Sequence, residues 1–377
     1  MEYPIYQSDR EFLGKHTDLI ELSNAEGARV LVAPSYQARV MTSSIEGESG
    51  SSFGWLNRTF ITAGQESVKI NNYGGEDRFW LGPEAGQFGL WFKPGDKFNL
   101  DDFKTPPGFG SGAFVVDARS ATQVATRKDF TVSNYSGTTF DCHVERTINL
   151  LDRTATSAAL AIPIPAGLTL VGFESVNRLT NAGSAAWNEA SGLLCVWNLG
   201  MFNPLPRGKV IAPFIPGSAA DLGPEVTDYF GAIPPDRLIV KQKYALFTCD
   251  GQMRTKIGVS PRRTRNVIGS WDPDGQVLTI VTFNLPVTAA DLPYVNSQWE
   301  IQENPYGGDT INSYNDGKDP ITGMVFGPLY ELESSSCGAA LKPAESITHV
   351  HKTFHFTGAF EDLDLLSRQA LGAELWK

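Results

Sequence analysis

The sequence predicts an all-β fold with antiparallel pairing, and three observations carry that prediction. Short stretches rich in Val, Ile, Thr and aromatic residues recur along the 377 residues, with polar and apolar positions alternating. They are punctuated by 37 Gly and 23 Pro, which is turn-like spacing for many short strands. Helical periodicity is confined to a few segments, so too few helices are available to alternate with strands in a doubly wound α/β sheet. A large sandwich or a barrel is left. The lack of a roughly 40-residue internal repeat argues against a propeller.

Taken in order, residues 7–15 predict a short opening helix, and residues 29–32, 39–43, 89–92, 113–116, 138–150 and 168–175 predict strands. A turn is expected around 219–229, followed by strands over 238–248 and 277–283. Asp250-Gly251 and Asp274-Gly275 each stand between strand-like runs, and Asp-Gly readily supplies the positive φ angles of a type I′ turn, so both predict hairpins. Between 295 and 302, Asn296, Gln298, Glu300 and Gln302 alternate with Val295, Trp299 and Ile301. Residues 328–333 and 346–356 read as strands, and a turn centred near Ala340 would place Glu331 opposite His349. At the end, Leu363, Leu366, Ala370 and Leu371 recur at helical spacing and predict a C-terminal amphipathic helix over 360–376.

The length allows one large β domain or two ordinary ones, and a single domain over 1–377 is expected. Thirty-one Lys and Arg against 42 Asp and Glu give a formal charge of −11, which repels a phosphate backbone and argues against nucleic acid as a partner. Apolar runs such as 158–165 stop far short of the roughly 20 residues a membrane span needs. The opening Met1-Glu2-Tyr3-Pro4 has neither a basic nor an apolar leader region, so the compartment stays open, periplasmic if a signal has been removed. Cys142, Cys195, Cys249 and Cys337 are widely spaced and read as small buried hydrophobes rather than a zinc ribbon.

Standard catalytic motifs fail on context. Gly50-Ser51-Ser52-Phe53-Gly54 matches the G-x-S-x-G pattern but lies in a polar loop leading to a strand, not on a strand-to-helix elbow. The glycines of 107–112 run into a strand-like stretch, so no helix N-terminus follows to hold a pyrophosphate. Neither an organic cofactor nor a metal is expected.

The five histidines are more informative, because three of them fall in one strand-like stretch. There Ile347, His349, His351, Thr353 and His355 share one parity and Val350, Phe354 and Phe356 the other, which predicts a polar stripe of imidazoles opposite an apolar face. A carboxylate facing an imidazole across a strand pair, as Glu331 would face His349, suits general acid and base work on a hydroxyl. Two clusters mix acids, amides and aromatics in the way sugar sites do, since flat rings pack on C–H groups while carboxylates and amides bond hydroxyls. Residues 74–84 contribute Glu76, Arg78, Trp80 and Glu84, and residues 302–317 contribute Asp309, Asn312, Tyr314, Asn315 and Asp316 as expected substrate-binding groups.

Gly74-Gly75-Glu76-Asp77-Arg78-Phe79-Trp80-Leu81-Gly82-Pro83-Glu84, Asn312-Ser313-Tyr314-Asn315-Asp316-Gly317, and Tyr330-Glu331-Leu332-Glu333 followed by Leu341-Lys342-Pro343-Ala344-Glu345-Ser346 resemble the galactose-mutarotase-like superfamily, which includes the aldose 1-epimerases. The resemblance implies a large antiparallel β supersandwich with a few short helices, and a glutamate base with a histidine acid in a groove on its concave face, for which Glu331 or Glu300 is the expected base and His349 or His351 the expected acid. It implies an isomerase acting on a mono- or oligosaccharide. Two features depart from the pattern: the superfamily's histidine with its adjoining Tyr-Phe-Asn is absent, and Ala344 stands where a glycine is common. His143, in Asp141-Cys142-His143-Val144, lies in a different context and is carried as a substrate-binding expectation. Two alternatives stay open, a non-catalytic glycan-binding protein of this fold and a relative of polysaccharide lyases or hydrolases.

Overall fold

The computed structural model describes residues 3–318, 323 and 325–377. Its strands pair antiparallel into sheets of ten, six and three strands. Long alternating sequences build the centre of the largest sheet. Strand Thr139–Leu151 buries Phe140, Cys142, Val144, Arg146, Ile148 and Leu150 on one face and leaves the intervening residues nearer solvent. It pairs with Gln123–Ser133 on one side and Thr169–Asn181 on the other. Thr169–Asn181 then pairs along its length with Ser346–Thr357.

The six-stranded sheet lies against the inner face of the ten-stranded one. Its order is Thr227–Asp228, Thr255–Val259, Ile311–Asn315, Tyr330–Ser335, Cys195–Phe202 and Arg78–Gly82. Ile257, Ile311 and Leu332 from it meet Val210, Phe247 and Val281 in a shared core. Each such buried side chain contributes about 1.5–3 kcal/mol relative to exposure. The three-stranded sheet, Ile20–Ser23, Arg29–Ala33 and Arg39–Ser44, covers another part of the same face, where Val30, Val32 and Val40 meet Val124, Ile148 and Phe173.

The outer face of the ten-stranded sheet is also covered. Helix Phe360–Ala370 places Leu363 and Leu366 on Leu278, Ile280, Phe354 and Phe356. The expected C-terminal amphipathic helix therefore forms, ending six residues earlier than the periodicity suggested. Among the described residues no helix is long and apolar enough to cross a membrane, and all four cysteines are free, three of them buried.

Several expected elements differ. Asp250-Gly251 does not close a hairpin. Strand Tyr244–Thr248 pairs within the ten-stranded sheet and strand Thr255–Val259 within the six-stranded one, so the turn carries the chain between layers. The second expected hairpin forms, with Val267–Asp272 against Val277–Phe283, but Gln276 and not Gly275 takes the left-handed φ. The run 238–248 is two strands, Leu238–Val240 and Tyr244–Thr248, folded back on each other. Residues 89–92 and 295–302 are loops. Part of the apolar run at 158–165 belongs to a helix, Arg153–Leu160, whose N-cap Asp152 accepts the Ala155 N–H.

Candidate functional site

Alternation on the six-stranded sheet separates two environments. From strand Tyr330–Ser335, Tyr330, Leu332 and Ser334 point between the sheets while Glu331 and Glu333 point to the other face. From strand Cys195–Phe202, Asn198 and Phe202 point inward, while Trp197, Leu199 and Met201 face outward. From strand Arg78–Gly82, Phe79 points inward while Arg78 and Trp80 face outward. The outward residues line a trough with about 800 Å³ of space, its mouth included. Tyr314 and Lys256 close it from neighbouring strands, Tyr229 and Arg254 from positions next to strand ends, and Glu84 and Trp299 from the loops beside the edge.

Polar groups in the trough are few and held. The Arg78 guanidinium lies 3.6 Å from the centre of the Trp80 ring and bonds Glu331 Oε1 through Nη2 at 3.3 Å. Lys256 Nζ reaches Glu333 Oε2 at 3.0 Å, and the Trp197 indole donates to the same oxygen at 2.8 Å. Trp299 donates to Glu84 at 2.8 Å. Tyr229 donates to Asp309 at 2.8 Å, and Gly258 has no room for a Cβ beside that carboxylate. Tyr314 donates to Asp316, which also accepts the backbone N–H groups of Phe326 at 2.9 Å and Gly327 at 2.7 Å.

Burial dominates the proton affinities here. It pushes the Glu331 carboxyl up to about 8, with Glu333 adding to the effect and Arg78 and Lys256 opposing it. Burial likewise raises Glu84, Asp309 and Asp316 above the usual carboxylate range and lowers Arg78. A carboxyl raised in this way holds its proton closer to neutral pH than an ordinary glutamate does and can give it to an oxygen placed beside it.

The structure thus brings Arg78, Trp80, Glu84, Tyr314 and Glu331 together, as expected. Asp309 and Asp316 stand behind the wall and orient Tyr229 and Tyr314. Asn312 bonds the Ile257 carbonyl at 3.3 Å, and Asn315 fastens the turn at 250–253 through Gly251 and Met253, so both act on the sheet rather than in the trough.

The structure places the remaining candidates outside the trough. Glu300 is exposed in a loop and does not line the trough. Glu76 is fully buried and accepts from Ser43 at 2.9 Å, with His355 Nε2 at 2.8 Å. His143 sits in the ten-stranded sheet, partly exposed and bonded to Asp129 at 2.6 Å. His349 and His351 are fully buried between the two large sheets, where both share the Ser334 hydroxyl at 2.8 Å. The expected Glu331–His349 strand pair does not exist: His349 stands opposite Asn177, and Glu331 opposite Met201. The imidazole stripe is a core face, not a solvated one.

That core face is a polar network. Asp77 Oδ1 accepts from Asn198 at 2.7 Å and pairs with Arg146 at 3.1 Å, both charges wholly buried. Burial lowers His349 to about 3, with His351 adding to the effect, and burial lowers His351 as well. One hydroxyl donating to one ring and accepting from the other suits two neutral imidazoles.

Sequence reasoning misses Lys256, Arg254, Trp197 and Tyr229. Trp197, Leu199 and Met201 carried a signal in their period-two spacing, but Lys256 stands on a five-residue strand and Tyr229 just after a two-residue one, with too few positions to show one.

A model of a family of unknown function, DUF6786, matches residues 4–377. No curated protein matches the chain in sequence. In structure the chain is similar to a candidate aldose 1-epimerase of Escherichia coli K12, with a TM-score of 0.53 at 10% identity, covering 91% of this chain and 99% of that one. It is also similar to a protein of Synechocystis sp. PCC 6803, with a TM-score of 0.52 at 13% identity, covering 91% and 96%. At such identities the likeness is one of fold, and it places the architecture among the mutarotase-like β sandwiches.

Proposed function

The chain belongs to the DUF6786 family, and we propose that it binds a sugar in the trough on its six-stranded sheet and promotes exchange of the sugar's anomers through Glu331. The observation that carries this reading is the convergence of Arg78, Glu84 and Glu331 with Trp80, Trp197, Trp299 and Tyr314 around one trough. Ring faces there suit sugar C–H groups, and the charged groups suit hydroxyls.

Exchange of anomers needs an acid at the ring oxygen and a base at the anomeric hydroxyl. Glu331, its proton affinity raised by burial, gives its proton to the ring oxygen as the bond from that oxygen to the anomeric carbon breaks. Glu84 takes the hydroxyl proton as the carbonyl forms. Arg78, 3.3 Å from Glu331, stabilises the carboxylate so produced. Closure on the opposite face of the carbonyl reverses both transfers. The buried His349 and His351 take no part in these steps.

Saturation-transfer NMR on a panel of aldoses tests the reading, with anomer exchange above buffer as the expected result and its absence as the refuting one. A second reading, a glycan-binding protein without turnover, is favoured by one feature: among the described residues no histidine lines the trough. Calorimetric binding of a sugar without exchange supports it over the first.

A further inference from the structure

We infer that the trough, taken as the sugar site proposed above, selects a sugar unit carrying an anionic substituent, a carboxylate or a phosphate or sulfate ester. The argument starts from the trough's unsatisfied atoms. Arg78 is 1% exposed, yet its Nε and Nη1 have no partner among the described residues. The Trp80 Nε1–H beside it has none either. All three are donors, and both side chains line the trough. Buried donors without acceptors are costly, about 1–3 kcal/mol each and more when charged, so a ligand that supplies acceptors there recovers that cost.

The charged side chains beside these donors are of both signs. Arg78, Arg254 and Lys256 line the space, against Glu84 and Glu331. Lys256 is matched by Glu333 behind it. Burial raises the proton affinity of Glu331, which favours its uncharged form. A hydroxyl both donates and accepts, whereas a carboxylate or phosphate only accepts, as these donors require.

Calorimetry on the full chain decides the matter, comparing D-galactose with D-galacturonate and D-glucose with D-glucuronate and D-glucose 6-phosphate. The acidic sugar should bind at least about tenfold more tightly than its parent hexose, and added salt should shrink that preference. A gain for the uronates assigns a carboxylate, and a gain for the 6-phosphate alone assigns an ester. Arg78→Gln should erase the preference. The comparison within the unmodified protein stands even if that variant fails to fold. Neutral hexoses binding as tightly as the acids would overturn the anionic preference and leave the sugar site standing. Binding of none of these sugars would remove both.

Discussion

Arg78 touches Glu331 with one guanidinium nitrogen, at 3.3 Å, and lies 3.6 Å from the centre of the Trp80 ring, its other two nitrogens without a partner among the described residues. Full burial of this pair is what makes the trough chemically different from the rest of the surface. An ordinary surface pair of this kind is worth about 0–1 kcal/mol and perturbs nothing. Here burial favours the neutral form of the carboxyl and leaves the cation reaching into the trough.

Replacing Glu331 by Gln keeps its shape and removes its proton. Anomer exchange should fall by about 100-fold or more, the scale of a lost general acid, while sugar affinity should stay within about threefold. Exchange spectroscopy and calorimetry on the same sample check this. Undiminished exchange would remove Glu331 from the chemistry.

The same substitution should alter how stability varies with pH. The ordinary value for Glu331 is 4.5 and the folded one about 8, so the folded state holds a proton that the unfolded chain has released across that interval. Stability from this group is full below about 4.5 and is lost as pH rises through about 8. Between pH 5 and 9 the melting temperature of the parent should decline more steeply than that of Glu331→Gln. Parallel calorimetric curves would contradict the raised value.

His349 and His351 predict the opposite limb. His349 falls from 6.5 to about 3 in the fold, so its contribution is present above pH 6.5 and lost as pH falls toward 3. Ser334→Ala strands both imidazoles and should cost about 1–3 kcal/mol in urea unfolding, with sugar affinity unchanged. Loss of affinity at unchanged stability would return these histidines to the site.

Asp77 and Arg146 are both wholly buried, and Asp77→Ala leaves the guanidinium uncompensated. Unfolding experiments should show a loss of about 3–5 kcal/mol, the scale for breaking a buried pair. A loss below about 1 kcal/mol, the scale of an exposed pair, would mean that the network is open to water.

The fold class and half of the trough were legible in the sequence, because period-two patterning and the Arg78-Phe79-Trp80 island are local signals. The histidine stripe was legible as a stripe but assigned to the wrong surroundings. Alternation distinguishes two faces of a strand without saying what covers each. Here Phe354 and Phe356 lie under the C-terminal helix, and the imidazoles face the second sheet. Asp250-Gly251 failed for a related reason. Turn chemistry is local, but the Gly251 N–H is held by Asn315 of the six-stranded sheet, a contact between residues 64 apart that is invisible along the chain.

A crystal soaked with D-galacturonate and D-galactose tests the central claim most directly. Sugar density is expected on the outer face of the six-stranded sheet, stacked against an aromatic wall, with an acceptor oxygen at Arg78 Nε or Nη1 and Glu331 within hydrogen-bond reach. Density confined to another surface, with the trough filled by water alone, would contradict it.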